Sequence, residues 1–512
     1  MSLKTRTVRK PAVRPGSNGH ASPRGFSLTE QVKTPLFDTL LTHAKNKVIS
    51  FHTPGHKNGR GLDRRVRNLI GPQALRMDVT VFPEVDSLHD PIGPIRRAQN
   101  LMASAYGVQH SFFLVNGSSV GNMAMLLSAC RPGDSVILSR NAHKSTLSGI
   151  ILSGVWPIWI QPRVDQNLDI LFDMSPDQVE AALKQFPEAK AVFVTSPTYN
   201  GVTADLEKIA RLCHDRGKIL LVDEAHGPHL KFHPDLPPSA VETGADLCVQ
   251  STHKVLSALS QGSVLHFNSR LVDFSRVRHV VSMLQTTSPN YMILASLDTA
   301  RRQVALQGRR TFDRVLHWAE AARKQINQLK HFSCFTRKDI QARGYDLDVT
   351  KLTINVTRSG FSGHEIEDIL SRRYRIQVDA ADLFNLIAIL GFGTDRSDLE
   401  ALVEALSEID DKFRGNAKNW ILRIPSLSTE LVMIPRDVFL LYRWKRVPLS
   451  KAAGHIAAQT LTPYPPGIPV LIPGERITQV IVEYLEDLTE KDIRVVGQEA
   501  DALKTIKVVA LH

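Results

Sequence analysis

The chain has 512 residues, 43% of them apolar and 22% charged, the composition of a soluble globular protein with more than one core. No run of about 18 apolar residues is present, which excludes a membrane-spanning helix, and the leading segment lacks the apolar stretch of a secretory signal. The formal charge of +12 invites a nucleic-acid partner, but Lys4, Arg6, Arg9, Lys10, Arg14 and Arg24, half of that excess, all precede the first acid, Glu30.

In chain order, residues 1–27 mix those cations with proline, glycine and serine and read as a disordered basic tail. Residues 28–110 form an N-terminal segment, and a major domain is expected over 111–330. There, short apolar runs alternate with amphipathic segments, which predicts a mainly parallel α/β sheet with helices on both faces. The expected strands are Ser111–Val115, Ser135–Leu138, Val155–Ile160, Ala191–Thr195, Lys218–Val222, Leu247–Gln250 and Ser263–Phe267. Helices are expected at Asp177–Gln185 and Ala204–Arg216, and long helices over Leu271–Leu329. A small α/β domain over 331–415 should contain strands Lys351–Thr357 and Tyr374–Val378 and helices Gly363–Leu370 and Asp395–Ile409. In the last domain, 416–512, a helix after Leu449, a proline-rich segment and a helix from near Glu475 are expected. Cys130, Cys213, Cys248 and Cys334 lack C-x-x-C spacing, so they read as buried thiols in a reducing compartment rather than a metal site.

Open α/β sheets bind ligands at the carboxyl ends of their strands. After the first strand come Asn116, Gly117, Ser118 and Ser119, opening a helix. Free N–H groups at a helix start suit a phosphate, although Gly-Ser-Ser is also an ordinary capping turn. His143 follows the second strand, where a flat imidazole can stack on a heteroaromatic ring or serve as a plain polar residue. In KILLVDEAHG the apolar strand delivers Asp223 to its end, with Ala225 on the same side. A buried carboxylate needs a cationic partner, and a protonated pyridine nitrogen is one. Lys254 follows the strand Leu247–Gln250. A desolvated lysine can attack an aldehyde. Each feature is ambiguous alone; together, in this order, they fit one ligand, pyridoxal 5′-phosphate (PLP), held by Lys254 as a Schiff base.

These residues resemble the Orn/Lys/Arg decarboxylase family, fold-type-I PLP enzymes with the aspartate aminotransferase fold. The resemblance rests on TPLFDTL, FHTPGHKNG, DVTVFPEVDSLHDPIGPI, VNGSS, NAHKS, SPTYNG, VDEAHG, STHK, QTTSPNY and TPYPPGIPVLIPGE. It implies Lys254 as the imine-forming residue, with Ser251 and His253 beside it, His226 in the cofactor set, Asp223 on the pyridine nitrogen, and Ala225 and His143 on the two ring faces. Asn116, Gly117, Ser118 and Ser119 would bind the phosphate, joined by Thr287 or Ser288 of a neighbouring subunit. The resemblance thus implies a homodimer with shared active sites, or a larger assembly, in the cytoplasm. The chain has no room for the N-terminal wing domain of the large inducible members, so their decamer does not carry over. The implied reaction converts lysine, arginine or ornithine to cadaverine, agmatine or putrescine with loss of CO2.

A cationic substrate tail calls for an acid, and Glu475, Glu84 and Asp86 are candidates, each equally readable as a helix-start or loop carboxylate. An aminotransferase or another PLP lyase would use the same lysine and aspartate; an aminotransferase also needs an arginine for the α-carboxylate, for which Arg358, Arg372, Arg373 and Arg375 are available. A nucleic-acid-binding protein on an inactive scaffold would depend on the basic tail, where no aromatic platforms accompany the cations.

Overall fold

The computed structural model describes residues 27–46, 48–412, 430–463, 468–490, 495–497 and 503–510. The basic tail before Ser27 therefore lies outside the described residues, as do four residues of the proline-rich segment, 464–467.

All seven expected strands form one sheet: β1 (His110–Leu114), β2 (Ser135–Ser139), β3 (Trp156–Ile160), β4 (Ala191–Thr195), β5 (Ile219–Asp223), β6 (Leu247–Gln250) and β7 (Ser263–Phe267). Their spatial order is β1-β7-β6-β5-β4-β2-β3. β7 runs antiparallel to both neighbours and the other pairings are parallel. The central strands β4 and β5 are apolar almost throughout, as strands covered on both faces must be. Two apolar cores lie on the two faces of this sheet, one containing Ile137, Val192 and Val222, the other Leu138, Phe193 and Leu221, the alternation that a pleated strand imposes. The helices that matter for the site are α1 (Pro35–Lys45), α2 (Pro94–Tyr106), α3 (Gly117–Ala129), α4 (Lys144–Ser153), α5 (Pro176–Gln185), α6 (Leu206–His214), α7 (Thr252–Val255), α8 (Phe274–Leu284) and α9 (Tyr291–Ile326).

α9 is 36 residues long and ties the parts together. Its first half packs into the sheet core through Leu294 and Leu297, and its second half packs into another core through Phe312, Val315 and Ala319. In its first third, buried Asp298 accepts the backbone N–H of Leu36 at 3.0 Å, while Arg301 donates to the carbonyls of Gln31 and Lys33, both at 2.6 Å. The N-terminal segment is thereby latched onto the major core.

The second module departs from expectation in one element. β8 (Lys351–Asn355) forms, but Tyr374–Val378 does not become a strand. Arg375 is left-handed (φ 58°) and Ile376 N donates to Leu370 O at 3.0 Å, closing the preceding helix instead of joining a ladder. The strand that pairs with β8 is instead the apolar run β9 (Asn385–Ile389). The two expected helices of this module are α10 (Gly363–Ile369) and α11 (Arg396–Lys412). In the last module, the helix expected after Leu449 is a single 3₁₀ turn, Leu449–Lys451, and the final helix, α12 (Gln479–Glu490), begins beyond Glu475. Glu475 is held in a turn instead, and its burial explains why.

Candidate active site

The carboxyl ends of β1, β2, β4, β5 and β6 share one rim, and the start of the antiparallel β7 joins them. The backbone reaches α3 from β1 through Gly117, whose φ of +67° suits glycine and whose absent Cβ would point into open space. One turn further on, a Cβ at Gly121 would lie 2.3 Å from Val249 on β6, so α3 can press onto the sheet only because that residue is glycine. This close approach delivers Asn122 to the strand ends.

Asn122 is fully buried and connects two expected site residues. Its Nδ2 donates to Asp223 Oδ2 at 2.6 Å and to Ser145 Oγ at 2.9 Å. Ser145 Oγ lies 2.6 Å from His143 Nδ1, which also accepts the Ser145 N–H. The hydroxyl therefore donates to that nitrogen, which places the imidazole proton on Nε2. Burial lowers the His143 pKa, with Asp223 opposing and Lys254 reinforcing the shift, so the ring is neutral. Asp223 also accepts the Ala225 N–H at 3.1 Å, but among the described residues no cation forms an ion pair with this buried carboxylate.

Lys254 sits in the short helix α7. Its Nζ lies 2.8 Å from His226 Nε2 and 5.5 Å from the centre of the Tyr199 ring, against which His226 also packs. Burial lowers the pKa of Lys254, opposed by Asp223 and Asp379. It pushes His226 down further, helped by the charges of Lys254 and Lys351. The result is a neutral imidazole facing an amine biased toward its uncharged, nucleophilic form. Around it, Ser251 Oγ is buried with no hydrogen-bond partner, Ser118 is buried at the start of α3, and His253 Nδ1 lies 3.0 Å from Gly262 O.

Other expected residues lie elsewhere. Thr287 and Ser288 are exposed in the loop between α8 and α9. Asp86 is spent on structure: its carboxylate accepts the N–H groups of Ile92, Gly93 and Ile95 at 3.0, 2.7 and 3.1 Å, capping α2. Glu84 is exposed and its charge is felt by His43. Glu475, expected as a substrate carboxylate, is fully buried against Arg140, with Arg140 Nη1 and Nη2 donating to its two oxygens, the latter at 2.7 Å. It also accepts the Ile472 N–H at 2.9 Å. It is a clamp between the last module and the end of β2, not an open subsite.

A cavity of about 490 Å³ opens in front of the rim, lined by His143 and Tyr199 from the sheet side, by Asp382 from the second module and by Thr460, Thr462 and Ile472 from the last. Asp382 is the one carboxylate among the described residues lining it. One of its oxygens accepts the N–H groups of Phe384 and Asn385, both at 2.7 Å. Asn122, Ser145 and Asp382 were not singled out in the sequence. Asn122 stands three residues beyond the VNGSS motif, but its role depends on how closely α3 approaches β6.

A mainly parallel seven-stranded sheet with this lysine and aspartate on its rim is the architecture of the fold-type-I PLP-dependent enzymes. A family model described as Orn/Lys/Arg decarboxylase, major domain, matches residues 34–398, and one described as Orn/Lys/Arg decarboxylase, C-terminal domain, matches residues 426–502. The chain belongs to the Orn/Lys/Arg decarboxylase family, carboxy-lyases of basic amino acids. Among its relatives, an arginine decarboxylase of Halalkalibacterium halodurans is 40% identical over 95% of this chain and 99% of its own length. An arginine decarboxylase of Bacillus subtilis is 39% identical over 94% and 98%. The structure of lysine decarboxylase A from Pseudomonas aeruginosa shares the fold, with a TM-score of 0.82 and 24% identity over 94% of this chain and 81% of that one.

Proposed function

We propose that the chain decarboxylates a basic L-amino acid, with arginine as the favoured substrate, using PLP held between Lys254 and Asp223. The observation that carries this reading is the pairing of a desolvated Lys254 amine, kept against a neutral imidazole, with a buried Asp223 that forms no ion pair with a cation among the described residues. Arginine is favoured because the relatives near 40% identity over the whole chain are arginine decarboxylases.

The residues fit the cofactor. The unpartnered Ser251 hydroxyl, the open space at Gly117 and the N-terminus of α3 with Asn116, Ser118 and Ser119 offer donors for a phosphate. Asp223, fixed by Asn122 and the Ala225 N–H, would keep a proton on the pyridine nitrogen. Ala225 and His143 would flank the ring. When bound, PLP supplies the electron sink that takes up the pair left behind by departing CO2. Lys254 presents the amine that an aldehyde requires, and after CO2 leaves, Lys254 or His253 delivers the proton to Cα. Asp382 faces the cavity as the carboxylate for the cationic tail. Burial raises its pKa, a cost that a cationic partner would offset.

Of the arginines an aminotransferase would need, Arg358 donates to Phe332 O, Arg372 and Arg373 pair with Asp368 and Glu408, and Arg375 is exposed. None of the four is among the residues lining the cavity, and Arg140, which does line it, is engaged by Glu475, which favours a site that releases the α-carboxylate. A homodimer is supported by exposed apolar side chains on the N-terminal segment, Phe51 at 92%, Leu69 at 87% and Ile92 at 86%, which a second copy would cover. The exposed Thr287 and Ser288 would then reach that copy's site. Four buried, unpaired cysteines suit a cytoplasmic setting, and no described helix is long and apolar enough to cross a membrane.

The test is to incubate purified holoenzyme with arginine, lysine and ornithine in turn, measuring CO2 and identifying the amine. Agmatine with stoichiometric CO2 is expected. Keto acid without amine would overturn the decarboxylase reading, and borohydride labelling of a lysine other than Lys254 would overturn the site.

A further inference from the structure

Behind His226 lies a second buried lysine with no role in the chemistry described so far. Lys351 opens β8, is fully buried, and packs its stem against the turn after β4 so closely that a Cβ at Gly201 would lie 2.9 Å from it. Among the described residues its Nζ reaches two acceptors: the backbone carbonyl of His226 at 3.5 Å and Asp348 Oδ2 at 3.6 Å. A purely structural ammonium–carboxylate pair closes to about 2.7–2.9 Å. Here the Asp348 carboxylate is turned elsewhere. Its Oδ1 accepts from Thr350 Oγ1 at 2.6 Å and Thr350 N at 3.0 Å and lies 3.2 Å from His229 Nε2, while Oδ2 takes no hydrogen bond.

Burial pushes the Lys351 pKa down while Asp348 and Asp379 hold it up, so its charge is only loosely matched, in a medium of low dielectric, on the far side of the residue that touches Lys254. Burying an ammonium this way is costly, and folding alone gives no reason to place it beside a second lysine. We propose, building on the PLP reading above, that Lys351 is a positioning residue for Lys254. It braces the segment that carries His226 and sets a positive charge behind that imidazole, so that the Lys254 amine stays uncharged and available to an aldehyde.

The groups facing Lys254 are the carboxylates of Asp223 and Asp379, the imidazoles of His226, His143 and the adjacent His253, and Lys351. The two carboxylates favour the ammonium form and Lys351 disfavours it. Burial does most to hold the Lys254 pKa down, and Lys351 is the one charged neighbour that adds to it; Asp379 acts on Lys351 as well.

The experiment uses apoenzyme and added PLP, following the imine absorbance band by stopped flow across a pH series for wild type, K351M and K351M/D348N. The double variant removes the buried carboxylate that K351M alone would strand, and so guards against misfolding. The pH midpoint for capture is expected to rise by about one unit in K351M, a tenfold slower capture at a fixed pH below the midpoint, and by less in the double variant, which removes a charge of each sign. An unchanged midpoint in folded K351M would overturn the inference and leave Lys351 a structural residue. Wild-type apoenzyme that forms no imine at Lys254 would instead overturn the cofactor reading, so the two failures are distinguishable.

Discussion

Asn122 offers the sharpest test of the site's architecture, because it touches neither substrate nor reacting bond yet fixes the carboxylate opposite Lys254. Replacing it with alanine removes the 2.6 Å bond to Asp223 Oδ2 and the 2.9 Å bond to Ser145 Oγ, leaving Asp223 only the Ala225 N–H at 3.1 Å. A hydrogen bond to a charged acceptor is worth about 1.5–3 kcal/mol, which corresponds to about a 10- to 150-fold loss if it is felt fully in the transition state. The loss should fall on kcat rather than KM, since the bond orients a group already in place when substrate binds. The assay is release of labelled CO2 from carboxyl-labelled arginine at saturating PLP, with the bound cofactor's absorbance as a check on occupancy. S145A, which leaves the bond from Asn122 to Asp223 in place, should lose about 2- to 10-fold, the equivalent of an uncharged hydrogen bond. An N122A enzyme with full occupancy and a kcat within about twofold of wild type would refute the reasoning.

Three further outcomes are expected. D382N keeps the oxygen that caps the turn at Phe384 and Asn385 but removes the charge, so preference for arginine over its neutral isostere citrulline should shrink by about 10- to 100-fold; an unchanged ratio of kcat/KM values places the tail elsewhere. E475Q removes one charge of a fully buried ion pair, which should cost about 3–5 kcal/mol in urea unfolding; an unshifted midpoint would contradict the clamp. Burial raises the Glu224 carboxyl to about 7 despite hydrogen bonds from Ser239, Ala240 and Gln250. Between pH 4.5 and 7 the folded state then holds the proton more tightly than the unfolded chain, so this group's contribution falls as pH rises, by about 3 kcal/mol in all. The stability difference between wild type and E224Q, followed by urea titration over that range, should change by that amount in favour of the glutamine variant, and a flat difference would refute the assignment.

Much of this protein was legible in the chain itself. Apolar runs of four to six residues marked all seven strands of the main sheet within a residue or two, because a strand buried on both faces leaves little room for polar side chains. The residues that end those strands, His143, Asp223 and Lys254, followed from that pattern. What failed were segments whose local pattern competed with tertiary contacts. The alternation of Tyr374, Ile376 and Val378 looked like a strand, but Ile376 closes a helix end and Asn385–Ile389 took the ladder beside β8.

The sequence by itself determined the sheet, the order of the chemical groups along its rim and the family to which they belong, since these depend on local periodicity and on motifs a few residues long. Only the tertiary structure decided which carboxylates are free. Asp86 is absorbed by a helix start and Glu475 by Arg140, 335 residues away, while Asp382 faces the cavity and Asn122 and Lys351 stand behind the two central groups. A buried charge is defined by its partners, and those partners come from distant parts of the chain that only folding brings within hydrogen-bonding reach.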